Sequence, residues 1–541
     1  MTGGQAIVRT LKQYDIDTIF GLPGVQLDNI FDALYEEQDA INVLHTRHEQ
    51  ATAYMAFGYA ASTGKVGTCL VVPGPGLLNA TAALSTAYAC NAPVLCLSGQ
   101  IQSDLIEKGL GMLHEIPNQL QMIRSVTKWA ARANDPTEVP GLMREAFKQL
   151  HTGRIRPVEF EMAPDIMGLE ADVELLDPIT SYPDPEPDPD AIKAAAELLA
   201  NAKNPVIFTG GGALDAGEAL LNLAETLQAP VVMSGNGRGA VSDKHYLAQN
   251  MVGGQELWVN ADVVLAVGTR FTQPLTRWGI DDNVKVIRMD IDPEEIERFS
   301  KPEVGIVANA ATGLSQLANS VASLGGKRAS RKSELEALKE KVDDMLFEVQ
   351  PQASYAEVLR GELPDDGILV SEMTQMGYFS GSGFPVYNPR SFVTCGYQGT
   401  LGFGYATALG VQVAHPDKKV ISINGDGGFM FTVQELATAV RHNIPLVAIV
   451  FSDGAYGNVR RIQKESYGGR TIASDLLNPD FQKLADAFGV APFRAESPEA
   501  LRSAIKEAYD INGPSLIEVP IGEVPSMNNI LWRTPPARKS S

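Results

Sequence analysis

The chain has 541 residues, of which 44% are hydrophobic and 20% are charged, and its formal net charge is −21. This length is sufficient for about three globular domains, each burying a hydrophobic core of its own. The excess of acidic residues argues against nucleic acids and anionic membranes as main partners, because both favour basic surfaces.

The four cysteines contain no C-x-x-C pair and are sparse for this length, which predicts a reducing, cytoplasmic location. The first twenty residues predict an amphipathic helix followed by a strand, and not a signal peptide. The most apolar stretch, residues 66–99, is interrupted by prolines and glycines, so we do not expect it to span a membrane.

Two changes in composition divide the chain. Residues 164–190 are rich in proline and acidic side chains and predict an extended linker. Residues 322–352 are strongly charged and predict a linker followed by a solvated helix. We therefore predict three domains, and their boundaries are residues 1–165, 186–325 and 345–525.

Short apolar segments alternate with helical patterns in all three predicted domains. The predicted strands are residues 67–74 and 93–99 in the first domain, 205–212, 230–235, 263–268 and 284–292 in the second, and 367–372, 419–427, 445–453 and 515–521 in the third. Aliphatic runs without polar alternation are typical of parallel strands that are covered on both faces. The predicted fold class is α/β, with three doubly wound parallel-sheet domains and ligands at the carboxyl ends of the strands.

One glycine-rich motif follows a strand of the third domain. The strand ends in Gly425, Asp426, Gly427 and Gly428, and a helical pattern comes next. Glycines let the backbone approach a phosphate, and a helix N-terminus favours anions. Asp426 is placed to hold a hard cation that bridges to such a phosphate. Taken alone, the motif is equally compatible with an ordinary strand–turn–helix corner.

A second carboxylate strengthens the phosphate interpretation. Asp453 ends the next buried strand, 27 residues after Asp426. A strand–helix–strand unit has about that length, so the two carboxylates are expected at neighbouring strand ends. Together with a loop carbonyl and diphosphate oxygens they would form an oxygen-rich site suited to Mg²⁺.

The first domain contains a third signal, at Arg47-His48-Glu49-Gln50. Glu49 begins a helix rich in alanine, where an acidic residue is ordinarily explained by the helix dipole. Glycine–proline turns at residues 20–25 and 71–79 are expected to press against this carboxylate.

These motifs resemble those of thiamine diphosphate (ThDP)-dependent enzymes, in the acetolactate synthase-like branch of the large-subunit type. The resemblance covers all three domains in the order pyrimidine-binding, central Rossmann-like and diphosphate-binding. It is carried by the Gly-Asp-Gly motif with an aspartate 27 residues on, and by the Glu49 segment together with Gly74-Pro75-Gly76.

The resemblance implies roles for individual residues. Glu49 matches the glutamate that bonds N1′ of the aminopyrimidine, and Asp426, Asp453 and the Ala455 carbonyl match the magnesium ligands. Gly399 would offer its carbonyl to the 4′-amino group, and Leu401 would be the apolar wedge beneath the cofactor, with an ordinary core leucine as the alternative. The other implied cofactor-binding residues are Pro23, Gly76, Asn79, Gln375, Gly425, Gly427, Gly428, Tyr456 and Gly457.

The resemblance also implies a homodimer or homotetramer, because in the family the glutamate and the first aspartate come from opposite subunits. The active site would then lie at the subunit interface. The small-molecule partners would be a 2-keto acid donor and a carbonyl acceptor.

The substrate residues depart from the acetolactate synthase pattern. Residues 270–274 read Arg-Phe-Thr-Gln-Pro, so Pro274 stands in place of the arginine that holds the substrate carboxylate. Ile462 stands near the place of the family's tryptophan, and apolar Val25 is expected to face the substrate. His114 is a candidate proton shuttle, with a surface-loop histidine as the alternative.

Part of the family's FAD site is also present in the central domain. Residues 210–212 are all glycine, and Arg270 and the Asp290–Asp292 segment match as well, whereas residues 251–262 replace another part of that site. FAD, a nucleotide such as ADP, and an empty site are all open at this stage.

The leading hypothesis is a 2-keto acid decarboxylase and carboligase, in which a C2 carbanion adds to a second carbonyl. One alternative is a non-ligating decarboxylase of the benzoylformate decarboxylase kind. Another is an FAD-linked enzyme of the pyruvate oxidase kind. A non-catalytic homologue is disfavoured, because a scaffold has no need of Glu49, Asp426 and Asp453 together.

Overall fold

The computed structural model describes residues 1–281, 283–325, 328–531 and 533–535. The chain forms three six-stranded sheets whose neighbouring strands are all parallel, with helical segments in the connections. This confirms the predicted α/β fold class. No helix in the described ranges is both long enough and apolar enough to cross a membrane.

The first sheet has the strand order β2-β1-β3-β4-β6-β5. Its strands are β1 (Thr18–Gly21), β2 (Asn42–His45), β3 (Gly67–Val71), β4 (Val94–Gly99), β5 (Trp129–Ala133) and β6 (Val158–Met162). The helices are α1 (Gly3–Gln13), α2 (Asp28–Glu36), α3 (Glu49–Thr63), α4 (Pro75–Cys90), α5 (Gln119–Ile123), α6 (Val139–His151) and α7 (Pro164–Gly168). The chain direction across the sheet reverses between β1 and β3, and parallel sheets bind ligands beyond such a point.

The second sheet has the order β12-β11-β10-β7-β8-β9. Its strands are β7 (Pro205–Thr209), β8 (Val231–Met233), β9 (Ala248–Gln249), β10 (Val263–Val267), β11 (Lys285–Asp290) and β12 (Val304–Val307). The helices are α8 (Pro189–Asn201), α9 (Gly217–Leu227), α10 (Met251–Trp258), α11 (Pro293–Ile296) and α12 (Ala310–Ser323). Here the reversal lies between β7 and β10, and the glycines of residues 210–212 directly follow β7.

The third sheet has the order β14-β13-β15-β16-β18-β17, which is the same relative order as in the first sheet. Its strands are β13 (Ile368–Ser371), β14 (Phe392–Thr394), β15 (Val420–Gly425), β16 (Val447–Ser452), β17 (Ala491–Arg494) and β18 (Ser515–Pro520). The helices, starting with the one that precedes this domain, are α13 (Lys332–Phe347), α14 (Gln352–Glu362), α15 (Gln375–Gly383), α16 (Phe403–Ala414), α17 (Asp426–Phe429), α18 (Leu436–Arg441), α19 (Gly457–Ser466), α20 (Phe481–Phe488), α21 (Pro498–Asp510) and α22 (Asn528–Leu531). The reversal lies between β13 and β15. Asp426 directly follows β15 and therefore lies at that point of the sheet.

Several elements are shorter than the sequence predicts. The segment predicted as a strand over residues 67–74 ends at Val71, because Gly74 turns into the left-handed region (φ 58°) at the start of α4. The segment predicted over residues 284–292 ends at Asp290, since Asp292 caps α11 by accepting from the Glu294 amide. Each sheet lies within one of the three predicted domains, whose boundaries stay a prediction.

The two predicted linkers differ in structure. The linker predicted over residues 164–190 is extended only in part, because α7 occupies residues 164–168 and α8 begins at Pro189, whereas residues 171–188 contain no helix or strand. Helix α13 is less solvated than its charged sequence predicts, because one face is buried. Leu335 packs in the core of the second sheet, whereas Val342 and Leu346 pack in a core of the third sheet.

Helices α3 and α16 join the first and third sheets through a single shared hydrophobic core. The two backbones touch at glycines: a Cβ on Gly58 would collide with the Thr407 carbonyl, and one on Gly410 with the Met55 carbonyl. We call this contact the α3–α16 seam. It fixes the relative position of the two domains that carry the predicted cofactor residues.

Candidate cofactor and metal site

Glu49 lies with two of its predicted neighbours at the carboxyl edge of the first sheet. It is the first residue of α3, and its Oε2 accepts a hydrogen bond from Asn79 Nδ2 at 3.0 Å. A Cβ on Gly76 would lie 3.3 Å from Glu49 Oε1, so α4 passes close to the carboxylate. Val72 packs against both Gly76 and Gly24, which places the Pro23–Gly24 turn at the same wall. This half of the predicted site is therefore assembled from three loops.

Asp426 is the centre of the second half, at the carboxyl edge of the third sheet. The side chain is buried, and its Oδ1 accepts from the Gly427 amide at 2.8 Å. Its Oδ2 accepts from the Gly454 amide at 2.8 Å and from Asn478 Nδ2 at 2.6 Å. The Ser452 hydroxyl also donates to Oδ2, at 3.3 Å. These donors hold a buried carboxylate in one orientation.

Asp453 lies next to Asp426 at the end of the neighbouring strand. Burial and the charge of Asp426 raise the pKa of Asp453 to about 6. A carboxylate whose pKa is raised by a neighbouring carboxylate is stabilised by a cation that both can bind. Asp453 Oδ1 accepts from the Ala455 amide at 3.1 Å, and a Cβ on Gly457 would collide with Oδ2. The loop is therefore shaped around the carboxylate.

These residues fit a magnesium ion of the kind the sequence predicts. No cluster of three or more His, Cys, Asp and Glu side chains suited to a metal occurs in the part of the chain that the structure describes. A cation at Asp426 and Asp453 would therefore need further oxygen ligands, such as the Ala455 carbonyl and phosphate oxygens. Mg²⁺ is commonly bound in this way, by one or two carboxylates and substrate phosphates.

The remaining predicted residues of this half surround the same strand ends. Gln375 begins α15, is buried, and its Oε1 has no hydrogen-bond partner in the described structure. The Tyr456 ring packs against Gly427, while its amide donates to the Ser474 carbonyl at 2.8 Å. The N-terminus of α15 and the glycine turns suit an anionic ligand such as a diphosphate.

The loop of residues 396–402 carries Gly399 and Leu401 and is bound to the third sheet by a buried glutamate. Gly399 and Gly402 both have positive φ, at 59° and 77°, and Leu401 is half-buried. Glu372 Oε1 accepts from the Gly402 amide at 2.7 Å, whereas its Oε2 has no partner in the described part of the chain. Burial raises the pKa of Glu372 to about 8. The carboxyl group is therefore largely protonated at neutral pH.

Replacing Glu372 by glutamine is expected to stabilise the protein at about pH 8 and to change its stability little at about pH 5. The folded-state pKa lies above the unfolded value, so the native protein loses stability as the pH rises from about 4.5 to about 8. Glutamine keeps an acceptor for the Gly402 amide and has no charge to bury. Melting temperatures of the cofactor-free protein should differ by several degrees at the higher pH. The exposed Glu357→Gln is the control, and equal shifts at both pH values would contradict this assignment.

No hydrogen bond or ion pair joins Glu49 to Asp426 or Asp453 among the described residues. The segments that carry the two halves nevertheless touch. The Arg47 amide donates to the Glu435 carboxylate at 3.1 Å, and the Thr86 hydroxyl lies 3.0 Å from the Thr400 hydroxyl. The structure thus brings together the predicted residues within each half.

His114 lies on the loop between β4 and α5, close to the start of α4. Its backbone is left-handed (φ 68°), and a Cβ on Gly74 would collide with its carbonyl oxygen. Its Nδ1 lies 3.1 Å from Gln26 Oε1. Val25, the neighbour of Gln26, is 63% exposed, as expected of a residue that faces a substrate or a partner.

A cavity of about 680 Å³ occupies the carboxyl edge of the second sheet. It is lined by the residues predicted for a nucleotide, namely the glycines at 210–212, Arg270, Asp290 and Ile291. Arg270 stacks on the Tyr397 ring at 4.2 Å, and burial raises the pKa of Asp290. Met251 of α10 reaches the same cavity, so the segment that departs from the family pattern still contributes to its wall.

Three residues of the site are missing from the sequence-based prediction. Asn478 contacts Asp426, which lies 52 positions away in the sequence. Glu372 contacts Gly402, which lies 30 positions away, and Gln26 contacts His114, which lies 88 positions away. None of them lies in a glycine or acidic motif. Only the position of Gln26, directly after the Pro23-Gly24-Val25 turn, gives a sequence signal for its role.

Comparisons with known proteins agree with this geometry. Three domains of thiamine pyrophosphate enzymes match the chain: the N-terminal TPP binding domain at residues 1–122, the central domain at 192–317 and the C-terminal TPP binding domain at 372–519. A probable acetolactate synthase large subunit from Methanococcus aeolicus is 33% identical over all of this chain and 94% of its own length.

Two further relatives differ in their named activities. A probable 2-ketoarginine decarboxylase from Pseudomonas aeruginosa is 32% identical over 96% of this chain and 94% of its own length. The large subunit of acetolactate synthase isozyme 3 from Escherichia coli is 31% identical over 94% of this chain and 92% of its own length. The chain belongs to the thiamine pyrophosphate enzyme family, which confirms the resemblance stated from its motifs. It is a ThDP-dependent enzyme of the acetolactate synthase and decarboxylase group.

Proposed function

We propose that this enzyme decarboxylates a 2-keto acid and adds the resulting carbanion to a second carbonyl compound. The observation that carries the proposal is the pairing of Asp426 and Asp453 at adjacent strand ends, in a chain that carries both ThDP binding domains. When bound, ThDP supplies the nucleophilic carbon that attacks the keto group and accepts the electron pair left by CO₂.

In this proposal, the half of the site around Asp426 binds and orients the diphosphate of the cofactor. Asp426, Asp453 and the Ala455 carbonyl hold magnesium, and the glycines at 425, 427, 428 and 457 allow the diphosphate close to the backbone. Gln375 and Tyr456 border the diphosphate. Leu401 and the Gly399 carbonyl support the ring-bearing part of the cofactor from the 396–402 loop.

Glu49 holds a proton at N1′ of the aminopyrimidine, from the wall that includes Pro23, Gly76 and Asn79. Because no bond joins Glu49 to Asp426 among the described residues of one chain, and because the family resemblance implies a site shared between subunits, we assign the complete site to two copies, with Glu49 of one facing Asp426 of the other. The working form is then a homodimer or a tetramer built from such dimers.

His114 is the proton shuttle of the substrate side in this proposal. It lies beside α4, whose first turns contact Glu49, so it is near the aminopyrimidine end of the site. An imidazole can both donate and accept a proton, which suits it to serve the hydroxyl and carbonyl oxygens of substrates.

A simple 2-keto acid decarboxylase is the second candidate. The relative named as a probable 2-ketoarginine decarboxylase favours it, because that name describes decarboxylation without ligation. The two candidates differ in the final acceptor, a proton in one case and a carbonyl carbon in the other. Incubation with ThDP, Mg²⁺ and a panel of 2-keto acids and aldehydes, followed by product identification, distinguishes a hydroxyketone from a free aldehyde.

For the central cavity we propose a nucleotide such as ADP or FAD. Three glycines at the end of β7 and a half-buried Asp290 would suit phosphates and a ribose. Flavin absorption in the purified protein would favour FAD and raise the pyruvate oxidase-like alternative. A colourless protein would exclude that alternative.

We expect the enzyme to be a poor acetolactate synthase. Condensing two pyruvates requires the second carboxylate to be held beside the carbanion, and fixed positioning of this kind lowers a barrier by several kcal/mol. Pro274 is apolar and buried where the family has an arginine, and Ile462 and Val25 add apolar surface. The acceptor site should therefore prefer an aldehyde, an apolar carbonyl or a proton.

The measurement compares pyruvate alone with pyruvate plus an aldehyde and quantifies acetolactate and hydroxyketone. We expect hydroxyketone or free aldehyde to exceed acetolactate by roughly tenfold or more. Efficient acetolactate formation that saturates at low pyruvate would show that another residue holds the second carboxylate.

A further inference from the structure

The Gln26 side chain is buried and uses both ends of its amide on one loop. Its Nε2 donates to the Leu113 carbonyl at 3.2 Å, and its Oε1 lies 3.1 Å from His114 Nδ1. A carbonyl oxygen only accepts hydrogen bonds, so the Leu113 contact identifies the NH₂ end of the amide. The oxygen end must then face His114.

This orientation determines which nitrogen of His114 carries the proton. Gln26 Oε1 only accepts, so His114 Nδ1 is the donor and holds the hydrogen. In the neutral ring the lone pair is then on Nε2. His114 therefore presents a proton acceptor on the side of the ring away from Gln26.

The loop around His114 is also held by contacts that do not involve Gln26. The Glu115 carboxylate accepts from the Gly109 amide at 3.0 Å and from the Met112 amide at 2.9 Å. The His114 carbonyl lies directly against Gly74. These contacts fix the backbone, including its left-handed residue, and leave the orientation of the imidazole to Gln26.

The segment around Gly74, which the His114 carbonyl contacts, is itself anchored in the first domain. The Gly74 amide donates to Gln119 Oε1 at 2.9 Å, and Gln119 Nε2 donates to Glu161 Oε2 at 2.7 Å. Gly74 precedes α4, which contacts Glu49 through Asn79. His114 and Glu49 are thus connected through one rigid helix start.

We propose that Gln26 is a positioning residue that fixes His114 as the Nδ1–H tautomer and aims Nε2 at the substrate. The inference rests on the proposed function, in which His114 serves as the proton shuttle. In that role Nε2 would take the proton of the product hydroxyl while the O–H electron pair becomes the second bond of the carbonyl, and a bound cofactor would accept the electron pair of the bond that releases the product. The imidazolium then returns that proton to solvent, so no other co-reactant is required.

The test uses full-length enzyme loaded with ThDP and Mg²⁺ and labelled with ¹³C and ¹⁵N in histidine. The chain has 7 histidines, and the His114 signal is assigned by its loss in His114→Gln. We expect the Nδ1–H tautomer in the unmodified enzyme and in Gln26→Glu, whose carboxylate still accepts from Nδ1. Gln26→Leu removes the acceptor and should lose this preference.

Steady-state kinetics provide the second readout. We expect Gln26→Leu to lower kcat about 10- to 100-fold with little change in KM. Gln26→Glu should recover most of kcat, and the exposed Gln38→Leu in the same domain should leave it unchanged. This rescue by an acceptor side chain separates positioning from a general loss of packing.

The two readouts separate the inference from the function on which it rests. An Nε2–H tautomer in the unmodified enzyme, or a tautomer unchanged in Gln26→Leu, overturns the positioning role. A tautomer that shifts while kcat stays constant supports the positioning by Gln26 but overturns the shuttle role of His114 in the proposed function. If Gln26→Leu does not fold, a change of tautomer in Gln26→Glu overturns the inference.

Discussion

Asp426→Ala is expected to abolish the joint binding of ThDP and magnesium, with a loss of affinity of roughly 100-fold or more. The substitution removes one of two carboxylates at the predicted metal site and leaves the diphosphate charge uncompensated. It also removes the acceptor for the Gly454 amide and for Asn478, so the 453–457 loop loses its anchor. Isothermal titration calorimetry with ThDP and Mg²⁺ measures the effect.

Asp453→Asn is the matched comparison for this variant. The amide keeps an oxygen ligand and the acceptor for the Ala455 amide, so we expect a much smaller loss of affinity. Asp366→Ala, at an exposed position of the same domain, should bind like the unmodified protein. Unchanged ThDP affinity of Asp426→Ala, both with and without EDTA, would exclude Asp426 as a metal ligand.

Glu49→Gln is expected to keep most ThDP binding and to slow proton exchange at C2 of the thiazolium by about 10²- to 10⁴-fold. Glutamine has nearly the same size and still accepts from Asn79, so the wall of α3 and α4 is preserved. It cannot hold a proton at N1′ in the way that a carboxylate does. Hydrogen–deuterium exchange at C2, stopped with acid and read by NMR, measures the rate.

Glu107→Gln, an exposed glutamate of the same domain, is the control for this experiment. Its exchange rate should equal that of the unmodified enzyme. An exchange rate in Glu49→Gln that equals the control would remove Glu49 from the activation of the cofactor.

The positions of the cofactor motifs could be predicted because they follow from strand order. A parallel sheet with helical connections brings all carboxyl ends to one edge, and its switch point lies where the strand order reverses. The Pro23 and Gly76 segments flank the reversal of the first sheet, and the Gln375 and Asp426 segments flank that of the third. A turn after an aliphatic strand was therefore sufficient to place each segment at the edge of its sheet, whereas its assignment to the cofactor came from the family resemblance.

The supporting contacts could not be predicted in the same way. Glu372, Asn478 and Gln26 act through hydrogen bonds to residues far away in sequence, and no spacing rule connects such partners. The environment of Glu372 depends on the close approach of Gly402 and Gly428, which exists only in the folded chain.

Two helical patterns were also misjudged, for local reasons. The single helix expected after Asp426 is divided into α17, a short 3-10 turn and α18, since the paired glycines are poor helix formers and Thr432 bonds to the Gly402 carbonyl at 3.4 Å. Helix α13 contains few apolar residues, but three of them lie on the buried side, so its charge alone was misleading.

The α3–α16 seam limits how the domains of such enzymes can be exchanged between relatives. Both contacts are glycine against a peptide carbonyl, so neither helix can accept a side chain there without moving the other backbone. Helix α16 directly follows the 396–402 loop, and α3 begins at Glu49, so a displacement at the seam reaches both halves of the cofactor site. A domain taken from a relative will fit this scaffold only when it brings glycine at the same crossing. In this respect the two outer domains are inherited as one unit, although a long segment of chain and a whole domain separate them.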